Sequence, residues 1–291
     1  TSATTSAAIT SAATTTSALR LSARPPAGKA VLQQEAAAYR SAGLTRPKKR
    51  VLILISDTGG GHRASAQALA EAFRERHADS IETSIVDVWT LYGPWPWGKR
   101  LVPYYRALAK RPFLWWAHFK ATTYRPAAYV MCRLMSTICY QGFESCIKEH
   151  SPDVVVSMHP LCQEVPIKVL QSMQQKDLHG AADSTSTRFP RRIPFVTVVT
   201  DLATPHPFWL HSKSDLCFVP SSEFARAARV RGLRQAQLRL HGLPVRPAFA
   251  SQGRSLRDNS ADHPRKKAAL SESLGLLPGR KTVLVVGGGD G

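Results

Sequence analysis

The sequence predicts an α/β protein built on a parallel sheet, and two observations carry this prediction. Short, almost continuous apolar runs recur along the chain, as is typical of strands that are covered on both faces. Between them lie stretches in which apolar residues have helical spacing, and such alternation indicates βαβ units. Of the 291 residues, 43% are hydrophobic and 20% are charged, which is enough apolar material for a core and excludes a wholly disordered chain.

The predicted elements begin with the run VLILI at 51–55, which suits a buried parallel strand. A helix is expected over 64–77, because apolar residues there fall on one face. The same reasoning predicts later strands at 81–88, 153–158, 195–200 and 216–220, and later helices around 126–149, 160–175 and 221–231. The polar stretch at 176–192 is expected to be a surface loop.

The amino-terminal segment 1–47 differs from the rest in composition. It opens with a tract of Ser, Thr and Ala, and no acidic residue precedes Glu35. A segment with so little apolar surface does not fold by itself, and hydroxyl-rich, acid-poor segments dotted with Arg are typical of organelle transit peptides. A plain disordered tail is the alternative that composition leaves open.

A boundary is predicted near residue 247, where the segment HGLPVRP at 241–247 is too rich in Gly and Pro for a regular element. Residues 251–267 are polar and basic, as a linker would be, and a helix is expected at 266–274. A buried strand predicted at 281–286 leads into the glycine-rich run GGGDG at 287–291. Since such a run normally precedes a helix, 248–291 is expected to be a linker and the start of a second, truncated α/β domain.

The formal net charge of +19 indicates a polyanionic partner, such as nucleic acid, an anionic membrane or a phosphorylated substrate. The five cysteines lack metal-ligand spacing, which argues against a disulfide framework and a zinc module and favours a reducing compartment. Three of them, Cys132, Cys139 and Cys146, recur on one face of a predicted helix, where buried thiols are expected. No apolar run approaches the ~20 residues of a membrane span, so no transmembrane helix is predicted.

The glycine run Gly59–Gly61 and His62 lie between the first strand and the first helix. Glycines allow a backbone to approach a ligand closely, and a helix amino terminus offers free N–H groups. The run matches neither a dinucleotide fingerprint nor a P-loop. His62 is therefore a candidate general base at the ligand-binding edge of the sheet, with a helix cap as the alternative.

Residues 88–143 combine aromatic and basic side chains and contain no acid at all. Trp, Tyr, Lys and Arg together are typical of a surface that sits at the headgroup level of a bilayer. Pro94 and Pro96 prevent a regular helix at 94–97, so a rigid aromatic loop is expected there. Binding of single-stranded nucleic acid is the rival interpretation, and core packing explains some of the aromatic residues. The bases and tryptophans predicted to form the membrane surface are Lys99, Arg100, Arg106, Lys110, Arg111, Trp115 and Trp116.

A third segment leaves the predicted strand at 195–200 on the same edge of the sheet. Asp201, His206 and Trp209 are candidates to line the cleft there, although an Asp at a strand end is as often a helix cap.

Several blocks along 48–291 together resemble one family, the monogalactosyldiacylglycerol synthases. The blocks are VLILISDTGGGHRASA at 51–66, DVWT at 87–90 with PWP at 94–96, SMHP at 157–160, TVVTDL at 197–202 with HPFW at 206–209, and GLPVRP at 242–247. The final GGGDG resembles the glycine-rich loop that opens the donor domain of this family. A more distant resemblance exists to the bacterial enzyme that adds N-acetylglucosamine to a lipid-linked peptidoglycan precursor.

The resemblance implies a two-domain glycosyltransferase of the GT-B type. Its N-terminal Rossmann-like domain, 48–247, would take the lipid acceptor and contact the membrane, and its C-terminal domain would take UDP-galactose. The reaction implied is transfer of galactose to the 3-hydroxyl of 1,2-diacylglycerol with inversion, which forms monogalactosyldiacylglycerol. Because a GT-B site lies between two domains, residues 1–291 alone are expected to be inactive.

By position, the resemblance implies roles for six residues. His62 would be the base or an acceptor contact, Pro96 and Trp209 would line the acceptor or anionic-lipid site, and Gly287, Gly288 and Gly289 would face the donor. No metal or other cofactor is expected, since backbone N–H groups and a helix dipole can stabilise the leaving UDP. An anionic lipid such as phosphatidylglycerol is the expected activator. The family implies peripheral attachment to the chloroplast envelope membrane, and a homodimer is left open.

Three alternatives remain at this stage. The first is a related lipid-acceptor transferase that uses a glucosyl or N-acetylglucosaminyl donor. The second is a non-catalytic lipid-binding module, and the third is a basic nucleic-acid-binding protein; nucleic acid is the less favoured partner.

Overall fold

Six parallel strands form one sheet in the order β2–β1–β3–β4–β5–β6. The strands are β1 (Lys49–Ile55), β2 (Ile81–Asp87), β3 (Val154–Ser157), β4 (Phe195–Val198), β5 (Leu216–Val219) and β6 (Leu238–Leu240). This computed structural model describes residues 47–182, 192–202, 206–257, 262–277 and 280–285. The segment predicted to be a transit peptide and the glycines at 287–289 lie outside the described residues.

All five strands predicted before residue 221 are confirmed, and so is the parallel α/β class. The sixth strand, β6, was missed because it has only three residues, of which two are exposed. So short an element at the edge of a sheet carries no detectable apolar alternation.

The core lies on both faces of the sheet, because successive side chains of a strand point to opposite sides. Leu52 and Leu54 of β1 are buried in one cluster with Phe143. Ile53 and Ile55 are buried on the other face with Ala66. The near-continuous apolar run of β1 is thus explained by cover on two sides.

Helices α1 (Gly60–His77), α5 (Arg125–His150), α6 (Glu164–Ala182) and α7 (Ser222–Val230) confirm the predicted helices. Three helices between β2 and α5 were not predicted: α2 (Val88–Tyr92), α3 (Trp97–Ala109) and α4 (Pro112–Thr123). In α4 apolar residues occur on every face, so its sequence has no helical period to detect. The non-helical loop expected at 94–97 is confirmed for 94–96, whereas Trp97 is already the first residue of α3.

Two predicted irregular segments are helical instead. Helix α6 continues to Ala182, through part of the stretch predicted to be a loop. Helix α8 (Pro247–Arg257) and the start of α9 (His263–Ser273) occupy most of 251–267, the segment predicted to be a linker, whereas α9 as a whole confirms the helix predicted at 266–274. The linker was predicted because 251–267 is polar and basic, but polar residues also form helices. The prolines at the starts of α8 and α9 are tolerated there, because the missing N–H of a first-turn residue has no partner to lose.

The strand predicted at 281–286 is also wrong over its described part. Residues 281–285 are not in the sheet, and Val283, Leu284 and Val285 are each more than four-fifths exposed. An apolar run becomes a strand only when a neighbouring strand supplies hydrogen-bond partners, and the described residues supply none here.

The strand order places a crevice between β1 and β3. From β1 the chain moves outward to β2 on one side, whereas β3 to β6 follow on the other side. The segments after β1 and β3 therefore leave the sheet in opposite directions, and ligands of open α/β sheets bind at such a switch point. His62, which follows β1, and His159, which follows β3, flank it.

Candidate active site at the carboxyl edge of the sheet

His62 lies in the first turn of α1, directly after the glycine run. Its Nδ1 is 2.7 Å from the Thr200 Oγ1, which follows β4. The imidazole also packs edge-on against the ring of His159, with centroids 4.5 Å apart, and at 5.9 Å from the Trp209 ring. Since the N-cap of α1 is Gly59 and has no side-chain cap bond, His62 is anchored to a neighbouring strand end and does not cap the helix.

His159 is buried beneath His62. Its Nδ1 accepts a hydrogen bond from the backbone N–H of Leu161 at 3.2 Å, so the ring proton of the neutral form lies on Nε2. The Nε2 then donates to Thr58 Oγ1 at 2.9 Å. His159 is thus locked by partners at both nitrogens and supports the His62 ring through packing.

Asp201 and Trp209 hold the segment after β4. The indole Nε1 of Trp209 donates to the Asp201 Oδ2 at 2.7 Å, and Trp209 is fully buried. His206 is tied to helix α4, with Nε2 3.2 Å from the Thr122 Oγ1. The three residues predicted to line the cleft are therefore brought to one edge, but Trp209 lies under His62 and not on an open wall.

Burial keeps the histidines of this edge neutral. Desolvation lowers the pKa of His62 below its ordinary value, although the charge of Asp201 and a hydrogen bond to the backbone of Met158 oppose the shift. Desolvation, reinforced by His62, holds the pKa of His159 well below the usual range. Desolvation also lowers the pKa of His206 to about 4. At neutral pH His62 is therefore an uncharged imidazole with the carboxylate of Asp201 nearby, which is the state that a general base requires.

The glycine run leaves open space at the mouth of the site. A Cβ added to Gly59, Gly60 or Gly61 would meet nothing within 4 Å, and none of the three has a positive φ. The fold itself therefore does not require glycine at these three positions. What these glycines provide is exposed backbone that a ligand can approach closely.

Asp57 and Arg63 bracket the glycine run. The guanidinium of Arg63 forms an ion pair with the Asp57 carboxylate through two hydrogen bonds. The carbonyl oxygen of Asp57 accepts a longer hydrogen bond, 3.4 Å, from the guanidinium of Arg106 on α3. The loop that carries His62 is thereby connected to the basic, aromatic segment of the chain.

That segment forms a helical hairpin, called here the aromatic hairpin, which consists of α3, α4 and the turn between them (97–123). Tyr105 and Trp115 pack edge-to-face across it at 5.2 Å. Phe113 and Trp116, in contrast, are 74% and 57% exposed and stack on each other on the outside. Trp116 is thus at the surface as predicted, whereas Trp115 lies between the helices.

The bases of the aromatic hairpin predicted to face a membrane, Lys99, Arg100, Arg106, Lys110 and Arg111, are all exposed. Within the described part of the chain none of them forms an ion pair. Pro96 precedes the hairpin and is half-buried, next to the exposed Trp95. Every helix that the structure describes is too short or too polar to cross a bilayer.

Several contacts join the aromatic hairpin to the histidine edge. Phe119 packs edge-on against the His206 ring at 5.4 Å, beside the Thr122 hydrogen bond. Tyr105 lies near Asp201, whose charge adds to burial in raising the pKa of the phenol. The exposed aromatic surface and the oriented His62 are therefore neighbours at one edge of the sheet.

A buried polar network supports this edge from below. The side chain of Gln163 donates to the Ser157 Oγ at 2.9 Å and accepts from the Thr197 Oγ1 at 2.8 Å. Thr197 also contacts the Ser214 Oγ at 3.0 Å. The ends of β3 and β4 are thus tied to the segment before β5, and buried networks of satisfied polar groups rigidify what they connect.

Sequence reasoning assigned no role to Thr58, His159 or Thr200. Each follows a strand at the carboxyl edge, and this position was the available signal. Among the described residues no group of three or more His, Cys, Asp or Glu side chains could hold a metal ion. Cys139 and Cys146 are fully buried free thiols and Cys132 is half-buried, which confirms the prediction of a thiol face.

The fold and the site define a Rossmann-like α/β domain with a histidine-centred site at its switch point. A family model described as monogalactosyldiacylglycerol (MGDG) synthase matches residues 62–245. The chloroplastic MGDG synthase 1 of Arabidopsis thaliana is 37% identical over 261 residues, which are 90% of this chain and 44% of that protein. The chloroplastic MGDG synthase of Spinacia oleracea is 37% identical over 243 residues, 84% of this chain and 42% of that protein.

The chain therefore belongs to the MGDG synthase family. It spans less than half the length of these relatives. The matched range contains every described residue of the histidine site from His62 to Trp209 and the whole aromatic hairpin.

Proposed function

We propose that the protein containing this chain transfers galactose from UDP-galactose to the 3-hydroxyl of 1,2-diacylglycerol, with inversion, and so makes monogalactosyldiacylglycerol. The observation that carries the proposal is the juxtaposition of a neutral, oriented His62 with an exposed aromatic and basic surface at one sheet edge. Membership of the MGDG synthase family agrees with it.

His62 is the general base in this proposal. A neutral alcohol is a poor nucleophile, so the acceptor hydroxyl must lose its proton as it attacks the sugar. Burial keeps the imidazole uncharged at neutral pH, and the nearby Asp201 stabilises the imidazolium that forms when the proton is taken. The open backbone of Gly59–Gly61 leaves room for the reacting groups beside it.

The aromatic hairpin supplies the membrane surface. Diacylglycerol resides in a bilayer, so the enzyme must rest on the lipid to reach the acceptor hydroxyl. Exposed rings such as Phe113 and Trp116 suit the interface, and unpaired bases attract an anionic leaflet. Contacts of the hairpin with Asp57 and His206 keep this surface next to His62.

The remaining parts of the proposal follow the family resemblance. The architecture is GT-B, with the donor-binding domain after residue 248 and Gly287–Gly289 facing UDP-galactose. Pro96 and Trp209 belong to the acceptor or anionic-lipid site, and phosphatidylglycerol acts as an activator. No metal is required, and the protein is peripheral to the chloroplast envelope.

The test is a transferase assay of the full-length protein with diacylglycerol in vesicles that contain phosphatidylglycerol. We expect transfer from UDP-galactose, little from UDP-glucose or UDP-N-acetylglucosamine, and no loss of activity in EDTA. A preference for another donor would replace galactose in the proposal, and abolition by EDTA would contradict the metal-free mechanism. Absence of any transfer, with vesicle binding intact, would leave a lipid-binding module.

A further inference from the structure

We infer that Thr200 is a positioning residue for His62: its Oγ1 accepts a hydrogen bond from Nδ1–H and so presents the unprotonated Nε2 to the acceptor hydroxyl. The observation is the 2.7 Å approach of the two atoms, from segments 138 residues apart in sequence. The inference rests on the proposed function, which gives His62 a proton to take.

Packing alone does not decide which nitrogen of His62 is reactive. The imidazole packs against His159 on one side and Trp209 on another, and the backbone of Met158 also interacts with it. These contacts restrict where the ring lies, but a flipped ring or the other tautomer would fill the same space. The hydrogen bond between Nδ1 and Thr200 fixes the orientation of the ring, and the direction of that bond then determines which nitrogen carries the proton.

The direction of this hydrogen bond follows from the protonated state. A hydroxyl both donates and accepts, so Thr200 is able to pair with either tautomer of neutral His62. Once His62 has taken a proton, both ring nitrogens carry hydrogen, and Nδ1–H then needs an acceptor. The Thr200 oxygen accepts this hydrogen bond without reorganisation only if it already accepts from Nδ1–H before the reaction. In a preorganised site the acceptor is in place in this way.

The segment that carries Thr200 is itself fixed. Its neighbour Asp201 is bound to the buried Trp209 indole at 2.7 Å. On the other side the backbone N–H of Val199 donates to the Phe218 carbonyl of β5 at 3.0 Å. Thr200 is therefore held between two anchored residues, and its hydroxyl is a stable reference for the His62 ring. The charged and titratable groups that face His62 are Asp201 and His159.

The primary experiment measures the tautomer of His62 by ¹⁵N NMR, in the 291-residue protein labelled at histidine, with His62→Gln to assign the signals. At pH 7.5 we expect Nδ1 to be protonated and Nε2 to be unprotonated. The opposite tautomer in the wild-type protein would overturn the inference. This measurement needs no Thr200 variant, so it remains decisive even if such a variant does not fold.

The variants are Thr200→Val, which keeps the shape but removes the oxygen, and Thr200→Ser, which restores the oxygen. Thr200→Val should lose the Nδ1–H tautomer, and Thr200→Ser should retain it. In the full-length enzyme Thr200→Val should lower kcat by roughly 10- to 100-fold, the factor expected for a hydrogen bond to a charged group, with little change in KM. The acid limb of the kcat profile should also move to lower pH, because the imidazolium loses an acceptor.

These readouts separate positioning from a structural role. A residue that only fills space would leave the tautomer and the pH profile unchanged in Thr200→Val, and that result would overturn the inference. A full-length protein without transferase activity would contradict the proposed function, whereas the tautomer of His62 would still support or overturn the role of Thr200.

Discussion

The histidine site and the aromatic hairpin share one edge of the sheet but are built in opposite ways. In the site, His62 and His159 are hydrogen-bonded to Thr200 and Thr58, and His159 is buried while His62 is half-buried. In the hairpin, rings such as Phe113 and Trp116 are exposed, and the bases have no ion-pair partner among the described residues. The histidines of the first region are thus held by partners within the fold, whereas the second region leaves rings and bases exposed at the surface.

The comparison shows that the two regions suit different tasks. A proton acceptor must be oriented before its substrate arrives, so its partners belong to the fold. A surface that recognises a fluid bilayer needs no fixed geometry, because area and charge determine how strongly it binds. Exposed apolar patches in soluble domains commonly mark such interaction surfaces.

The largest effect is expected from substitutions in the aromatic hairpin. Changing its five bases together, Lys99, Arg100, Arg106, Lys110 and Arg111, to Gln should remove about 5 kcal/mol of attraction to an anionic vesicle, at about 1 kcal/mol for each base. We expect vesicle co-sedimentation to fall by more than ~100-fold and wild-type binding to weaken as salt rises.

The matched control changes five exposed bases elsewhere, Arg74, Arg76, Arg265, Lys266 and Lys267, to Gln. The net charge falls by the same amount, but binding should stay close to wild type. Equal losses in the two variants would show that overall charge, and not the aromatic hairpin, attracts the membrane.

The next largest effect is expected from a substitution in the histidine site. His62→Ala in the full-length protein should lower kcat by roughly 10²–10⁴-fold, the usual range for a lost general base. In the wild type the acid limb of the kcat profile should lie below pH 6.5, because burial lowers the pKa of His62 and the base works only when unprotonated.

His62→Ala should also keep activation by phosphatidylglycerol. If His62 is instead an anionic-lipid contact, the variant would lose that activation while kcat at saturating lipid stays near wild type. Measuring kcat across pH, with and without the lipid, separates the two roles.

A third prediction contrasts a glycine of the histidine site with a glycine of α5, which lies outside the aromatic hairpin. A Cβ on Gly142 of α5 would lie 1.9 Å from the carbonyl oxygen of Tyr92, just before the aromatic hairpin. Because main chain cannot move aside cheaply, Gly142→Ala should reduce the free energy of unfolding by about 1–3 kcal/mol. Gly60→Ala, which meets open space at the start of α1, should leave stability unchanged or raise it by about 0.5–1 kcal/mol.

Urea unfolding of both variants checks this contrast. Equal destabilisation by the two substitutions would mean that the glycine run of the site is packed in solution. In the full-length enzyme we expect Gly60→Ala to lose activity despite its stability, since the space in front of it is proposed to hold substrate.

The last prediction concerns the pH dependence of stability. Buried His159 stays neutral in the folded protein, whereas the unfolded chain binds a proton near pH 6.5. The unfolded state therefore holds more protons below that pH, and stability should fall as pH falls, by about 2 kcal/mol from His159 at pH 5. His62 and His206 have lowered pKa values and change stability in the same direction.

The measurement is the free energy of unfolding at pH 7.5, 6.5, 5.5 and 5.0. His159→Gln should reduce the slope between pH 6.5 and 5, whatever its effect on stability at pH 7.5. An unchanged slope would contradict a neutral, buried His159.

Local patterns in the chain were sufficient for the class of the fold. Apolar runs such as 51–55 predicted the strands, because a strand covered on both faces needs apolar side chains at every position. The glycine run and His62 after the first strand predicted the location of the site, since the carboxyl edge of a parallel sheet is where ligands bind. The acid-free stretch from 88 to 143 predicted an external surface, and the exposed rings of the aromatic hairpin agree with it.

Tertiary structure decided what depends on partners distant in sequence. The bond between His62 and Thr200, the lock on His159 and the burial of Trp209 each join residues from different strand ends, and no local pattern encodes such pairs. The predicted strand at 281–286 shows the same dependence, because its apolar residues have no neighbouring strand among the described residues. Local composition sets what a segment can form, whereas contacts across the fold determine which side chains meet and which stay exposed.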